Sequence, residues 1–322
     1  CCVFLKNERQ LLPISDRQSI ALIGAFSEKP RFQGSGSSQV RPTKVDTLKD
    51  ALAEYTDSVV YAPGYDPVHS EPDHALIEEA VSAAGEADVA LVFAGLPGIY
   101  ESEGFDREHM RLPSQHDELI RAVAATNAKT IVVLANGAPV EMPWLTEVGA
   151  VLEAYLGGQA AGGGIADILM GRSNPCGKLA ETFAQQLSDI PAQRYFPGEN
   201  RQIQYREGLY IGYRYFDTAR RSVLFPFGHG LSYTRFEISE AKLSSDTLPP
   251  KGSVFLRVQI KNTGALDGAE VVQVYRHSKD SAVHRPDQEL CGFKKIFLAA
   301  GSVGIVEIEL FADDFRLFDH GK

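Results

Sequence analysis

Residues 101–108 read ESEGFDRE, which sets Glu101, Glu103, Asp106 and Glu108 around a single arginine, Arg107. They follow, after LPGIY, on the apolar run ADVALVFAG. A carboxyl group that keeps its proton near neutral pH can give that proton to a leaving group and later take one from water. Hydrolysis of a glycosidic bond asks for one such group and a second carboxylate, as nucleophile or as activator of water. Gly104 permits a sharp turn, so that a flanking carboxylate projects from the loop. Asp106 paired with Arg107 would hold the loop's shape. The bland alternative is a solvated acidic loop that only caps the helix starting at 114, since exposed charged loops are common.

A second loop, RFQGSGSSQVRPT at 31–43, is rich in glycine and serine. It matches neither the dinucleotide pattern GxGxxG nor a phosphate loop ending in GK[ST]. Hydroxyls and exposed backbone amides suit a polyol ligand. A plain surface loop stays open as the other reading. GGQAAGGGIADIL at 157–169 likewise lacks the lysine of a phosphate loop, so no cofactor is expected. His229 in GHGLSYT has no second histidine at ligand spacing and reads as part of a turn, and no metal is expected. The tyrosines at 205, 210, 213 and 215 form too dense a cluster for a sugar platform and read as packing.

The elements that must position these loops can be read from periodicity. Apolar runs at 19–25, 58–64, 88–95, 129–137 and 149–158 read as strands. Between them, 47–55, 74–87, 114–127 and 162–171 have helical spacing, with Ser114 expected as a cap. Continuous Val/Ile/Leu strands alternating with helices predict an α/β domain with a mostly parallel sheet covered on both faces. Ligands of such sheets bind outside the carboxyl ends of the strands, so both loops belong on one edge. After about residue 235 the pattern changes to alternating strands at 254–264, 269–278, 288–301 and 303–311, an all-β sandwich. The domains are therefore read as 1–235 and 236–322. The second is shorter than the roughly 100 residues of a seven-stranded sandwich and is expected to be incomplete at its C-terminus.

The net charge of −10 argues against a nucleic-acid partner. No apolar run of 18 or more residues is present, so no membrane span is expected. The opening CCVFLKNERQ lacks the pattern of a signal peptide. The four cysteines form no CxxC pair, which reads as thiols in a reducing compartment and a cytoplasmic location. A homo-oligomer is compatible with all of this.

The motifs FLKNERQLLPI (4–14), QGSGSSQVRPT, ESEGFDREHMRLP, NGAPVEMPW (136–144), NPCGKLAETF (174–183), YREGLYIGYRYFD (205–217) and PFGHGLSYT (226–234) resemble, in order, those of glycoside hydrolase family 3 β-glucosidases. NTGALDGAEVVQVY (262–275) and RPDQELCGFKKIFLAAG (285–301) resemble the fibronectin type III-like domain that follows in many members. The resemblance implies an (α/β)6 sandwich followed by that β-sandwich. It implies that Glu103 is the acid/base, with Glu101 as runner-up because loop length varies. It places Ser37 and Gly36 at the sugar and leaves Asp106 and Arg107 to shape the loop. A Glu101→Ala variant is expected to keep most activity. The family's nucleophile is an aspartate in an N-terminal (β/α)8 barrel, and nothing in 1–322 resembles that barrel. The chain is therefore expected to be part of a retaining β-glucosidase, acting on β-glucosides or β-linked oligosaccharides. The barrel would lie in the same polypeptide or in a separate chain. The reading from another class is a non-catalytic carbohydrate-binding or interaction module on the same scaffold.

Overall fold

The computed structural model describes residues 2–69 and 71–318, so Cys1 lies outside the described residues. Contacts divide the chain into two compact units. One runs to Ile190 and takes in Val223–Leu231; the other holds Pro191–Ser222 and the residues from Ser232 on.

The first unit is built on a six-stranded sheet. Its strands are β1 (Val3–Asn7), β2 (Ile20–Ile23), β3 (Val59–Ala62), β4 (Val89–Gly95), β5 (Thr130–Ala135) and β6 (Ala150–Glu153), in the order β1-β6-β5-β4-β2-β3. Every pair is parallel except β1 with β6. Every residue of β2, β4, β5 and β6 is buried, which is why these runs lack polar alternation. The edge strand β3 shows its position by an exposed Val60. β1 is the element that periodicity did not announce. The strands expected at 19–25, 58–64, 88–95, 129–137 and 149–158 are all present, trimmed at their ends.

The helices α1 (Leu48–Ala53), α2 (His74–Glu86), α3 (Ser114–Thr126) and α4 (Ala161–Leu169) pack as two pairs, α1 with α4 and α2 with α3. Thr47 caps α1 by accepting from the Asp50 amide, and Asp73 caps α2 by accepting from Ala75 and Leu76. The expected serine cap of α3 is displaced by one residue. Pro113 occupies the cap position without a side-chain bond, and Ser114 is the first helical residue. Tyr65, fully buried, donates to the Phe93 carbonyl and accepts from the Phe26 amide, tying the exits of β2, β3 and β4 together.

The second unit is antiparallel. β7 (Phe236–Leu243), β8 (Ser253–Asn262) and β11 (Val303–Phe311) form one sheet, and β9 (Gly268–Arg276) with β10 (Glu289–Leu298) forms the other. Val254, Val258, Ile260, Val306, Ile308 and Leu310 of the first sheet meet Val272 and Leu298 of the second in one core. The segment 191–222, read with the first domain from sequence, joins this unit in the division by contacts. Its helix α5 (Tyr213–Thr218) is bonded there: the Tyr213 hydroxyl accepts from the Leu290 amide at 2.8 Å, and Gln288 donates to Asp217 at 2.6 Å. Tyr213 also meets Tyr275 edge-on, as packing predicts, whereas Tyr205 stands 80% exposed.

Candidate active site

The strand order makes β6, β5, β4 and β2 neighbours, so the loops leaving their carboxyl ends share one edge. The Gly/Ser loop follows β2 and the acidic loop follows β4. Their tips meet. Oε2 of Glu103 accepts from the Ser37 amide at 2.9 Å and from the Ser37 hydroxyl. Gly36 makes the approach possible: its φ is +81°, and a Cβ there would lie 2.7 Å from the Glu103 Cβ. On the other side Gly104, at φ +95°, turns the chain directly after Glu103. Glu103 itself is exposed. The hydroxyl and amide of Ser37 hold its carboxyl below the usual carboxylate range, with slight desolvation working against them.

Glu101 lives in a different setting, although only one residue intervenes. Its side chain is 13% exposed. Oε2 accepts from the Gly137 amide at 2.8 Å, and Oε1 lies 3.8 Å from Arg107 Nη1. Arg107 also donates to the Pro139 carbonyl at 3.3 Å, and the Glu141 amide donates to the Met110 carbonyl at 2.9 Å. Three links thus fasten the acidic loop to the NGAPVEMPW segment after β5. That platform is anchored by Trp144, which is fully buried and donates from Nε1 to Asp117 of α3 at 2.9 Å. Burial pushes the Asp117 carboxyl up to about 6, against the Trp144 bond.

The expected pairing of Asp106 with Arg107 is corrected here. Arg107 turns inward, its side chain 18% exposed, and its charged partner is Glu101. Asp106 is exposed and makes no hydrogen bond or ion pair among the described residues. Loop shaping therefore falls to Arg107 and Glu101. With its carboxylate fixed on Gly137, Glu101 is a structural member of the loop and a poor choice as a neutral control.

Two residues of this edge escaped the sequence reading. Glu153, the last residue of β6, is fully buried; Oε1 accepts from the Tyr155 amide at 2.9 Å and Oε2 from Asn136 Nδ2 at 3.1 Å. Burial pushes its pKa up to about 8, the two hydrogen bonds pull the other way, and Glu101 and Glu181 add to the rise. Arg31, which opens the Gly/Ser loop, donates from Nε to the Leu96 carbonyl and from Nη2 to the Glu101 carbonyl, and from Nη1 to Gln33 and Ser35. An arginine at the mouth of a Gly/Ser loop was the signal available for it. His229, read as part of a turn, donates from Nε2 to the Leu5 carbonyl at 2.8 Å and stacks on Phe225. Among the described residues no group of three or more His, Cys, Asp or Glu could hold a metal ion.

The family model "Glycosyl hydrolase family 3 C-terminal domain" matches residues 2–233, and "Fibronectin type III-like domain" matches 270–322. The chain belongs to glycoside hydrolase family 3. Within the family it is 49% identical over 320 residues to "Thermostable beta-glucosidase B" of Acetivibrio thermocellus, covering 98% of this chain and 42% of that protein. It is 41% identical over 321 residues to an exo-alpha-(1->6)-L-arabinopyranosidase of Bifidobacterium longum, again 42% of the relative's length. The crystal structure of Bifidobacterium adolescentis GH3 beta-glucosidase superposes with a TM-score of 0.94 at 40% identity, covering 99% of this chain and 47% of that one. This family 3 chain therefore spans less than half the length of these relatives. Its α/β sheet followed by an antiparallel sandwich is the fold of their C-terminal portions.

Proposed function

We propose that this chain is the acid/base-bearing part of a retaining β-glucosidase, that Glu103 is the acid/base, and that Ser37 and Gly36 face the sugar. The nucleophilic aspartate would come from a (β/α)8 barrel in the same polypeptide, since the relatives are more than twice as long as this chain. One observation carries the reading. Loops from two different strands converge so that Ser37 holds one oxygen of an exposed carboxylate, while Oε1 of Glu103 makes no bond among the described residues.

The chemistry follows from that free oxygen. As the aspartate attacks the anomeric carbon, Glu103 gives its proton to the glycosidic oxygen and the bond to the leaving group breaks. The resulting glycosyl-enzyme is opened by water, whose proton passes to the Glu103 carboxylate, and configuration is retained. A donor of this kind needs its pKa near the working pH. In this chain the Ser37 bonds favour the charged form. A covering barrel would reverse that bias, by excluding water and by bringing a second carboxylate to about 5–5.5 Å.

Glucose is favoured by the relatives named β-glucosidase. The arabinopyranosidase relatives support an α-L-arabinopyranoside as the second sugar to test. A cytoplasmic location rests on Cys2, Cys176 and Cys291, which form no disulfide among the described residues. The deciding experiment uses the full-length enzyme. Glu103→Ala should cripple turnover of an unactivated glucoside but still form the glycosyl-enzyme from a dinitrophenyl glucoside. Azide, which needs no base, should then restore turnover and yield a β-glycosyl azide. No rescue by azide defeats the assignment and favours a non-catalytic carbohydrate-binding module.

A further inference from the structure

We infer that Arg31 is a positioning residue for the acid/base, a role that rests on the assignment of Glu103 above. Arg31 is half-buried, and its guanidinium serves both loops at once. Nε reaches the Leu96 carbonyl at 3.2 Å, the first residue beyond β4, and Nη2 reaches the Glu101 carbonyl at 3.1 Å, two residues before Glu103. Nη1 reaches the Ser35 hydroxyl at 3.1 Å and the Gln33 carbonyl, two and four residues before Ser37. Both segments that carry the Ser37–Glu103 pair are therefore measured off from one planar group.

Other links near the site do not do this. Gln33 closes the Gly/Ser loop on itself, through Val40 at 3.0 and 3.1 Å, and its side chain makes no hydrogen bond to the acidic loop among the described residues. The Glu101 carboxylate fastens the acidic loop to Gly137 and leaves the Gly/Ser loop out. Among the described residues Arg107 has its Nε and Nη2 buried with no hydrogen-bond partner, so its fork is largely unspent. Arg31, by contrast, uses Nε and both terminal nitrogens. A rigid fork with donors in fixed directions suits this task, and a lysine ammonium at the same place would not reach the same acceptors. Charge-assisted bonds in a half-buried place are also strong enough to set a loop.

The consequence is specific to proton transfer. Without the fork, the acidic loop keeps its fastening to the platform after β5 but loses its spacing from the Gly/Ser loop. A carboxyl misplaced by about 1 Å costs on the order of a hundredfold in the step it serves. Steps that need no acid should be spared.

The test compares Arg31→Met with wild type in the full-length enzyme on phenyl and dinitrophenyl β-glucosides. Expected is a fall of about 10- to 100-fold in kcat/KM on the phenyl substrate and of less than about threefold on the dinitrophenyl one. Arg31→Lys should show the same asymmetry, because one ammonium does not replace the fork. Equal losses on both substrates, or no loss on either, overturn the proposal. If Arg31→Met lowers the thermal midpoint so far that no folded enzyme is recovered, Ser35→Ala removes one acceptor alone and should give a weaker form of the asymmetry; a symmetric loss overturns the proposal there too. Glu103→Ala run in parallel separates the two claims. Rescue by azide there with symmetric losses at Arg31 defeats only the positioning role, whereas no rescue defeats the acid/base assignment itself.

Discussion

Glu103 and Glu153 stand at the same edge of the same sheet, yet their carboxyl groups are biased in opposite directions. Glu103 is on the rim, exposed, and its bonds from Ser37 favour the anion. Glu153 is on the floor, fully buried, and burial pushes it up to about 8 in spite of two hydrogen bonds. Both accept a backbone amide and one side-chain donor. Hydrogen bonding alone therefore does not set the direction; exclusion of water does. The lesson for catalysis is that the rim residue lacks what the floor residue has. On the proposed role of Glu103, cover is the missing ingredient, and the barrel of the full-length enzyme would supply it.

The largest expected effect tests this division directly. In the full-length enzyme Glu103→Ala should lose on the order of 10²- to 10⁴-fold on an unactivated glucoside, while Glu153→Gln, which keeps a neutral group of the same shape, should stay within about tenfold of wild type. An equal loss from both would mean that rim and floor share one chemical task. Initial rates on phenyl β-glucoside decide it.

Stability supplies the next test. The folded pKa of Glu153, about 8, lies above its ordinary 4.5. Between these values the folded state binds the extra proton, so the stabilising contribution is complete at low pH and is lost as pH rises. The slope is about 1.4 kcal/mol per pH unit for one such group. Urea unfolding of this chain from pH 5 to pH 8 should show Glu153→Gln gaining on wild type by roughly that slope. A constant difference across the range would place the Glu153 carboxyl outside the dry floor.

Smaller still is the effect of Ser37→Ala on Glu103. Removing the Ser37 hydroxyl, the larger cause of the low pKa, should raise it, read by carboxyl carbon NMR of Glu103 across an acid titration. An unchanged midpoint would mean that the amide alone fixes the anion. Smallest is Asp106→Asn, expected within about 0.5 kcal/mol of wild type in unfolding, since the residue is exposed and bonded to nothing among the described residues.

What the sequence disclosed of this site follows the range of the forces involved. The strands β2, β4, β5 and β6 were legible because burial on both faces leaves an unbroken apolar run. The meeting of Ser37 and Glu103 was legible because parallel strands send their loops to one edge. Glu153 was not: VLEAY reads as a strand end, and only the strand order, with β6 between β1 and β5, buries its carboxyl. Arg31 was missed because its deciding acceptors, Leu96 and Glu101, are 65 and 70 residues away. The Asp106–Arg107 pairing failed for the converse reason. Adjacency in sequence suggested it, while the backbone turned Arg107 toward Pro139 and Glu101.

The fastening of the acidic loop has a bearing on how such a protein can change over generations. Its platform side consists of main-chain groups, the Gly137 amide, the Pro139 carbonyl and the Glu141 amide. Any residue other than proline at 137 or 141 that keeps the same backbone path presents the same three groups, so the side chains at 139 and 141 can change without unseating the loop. Between the two feet, residues 102–106 are tied, among the described residues, only at Glu103. The fold thus separates a frame set by main-chain groups from an interval held at one residue, and on the proposed role of Glu103 an exchange in that interval would alter the surroundings of the leaving group while the frame stays as it is.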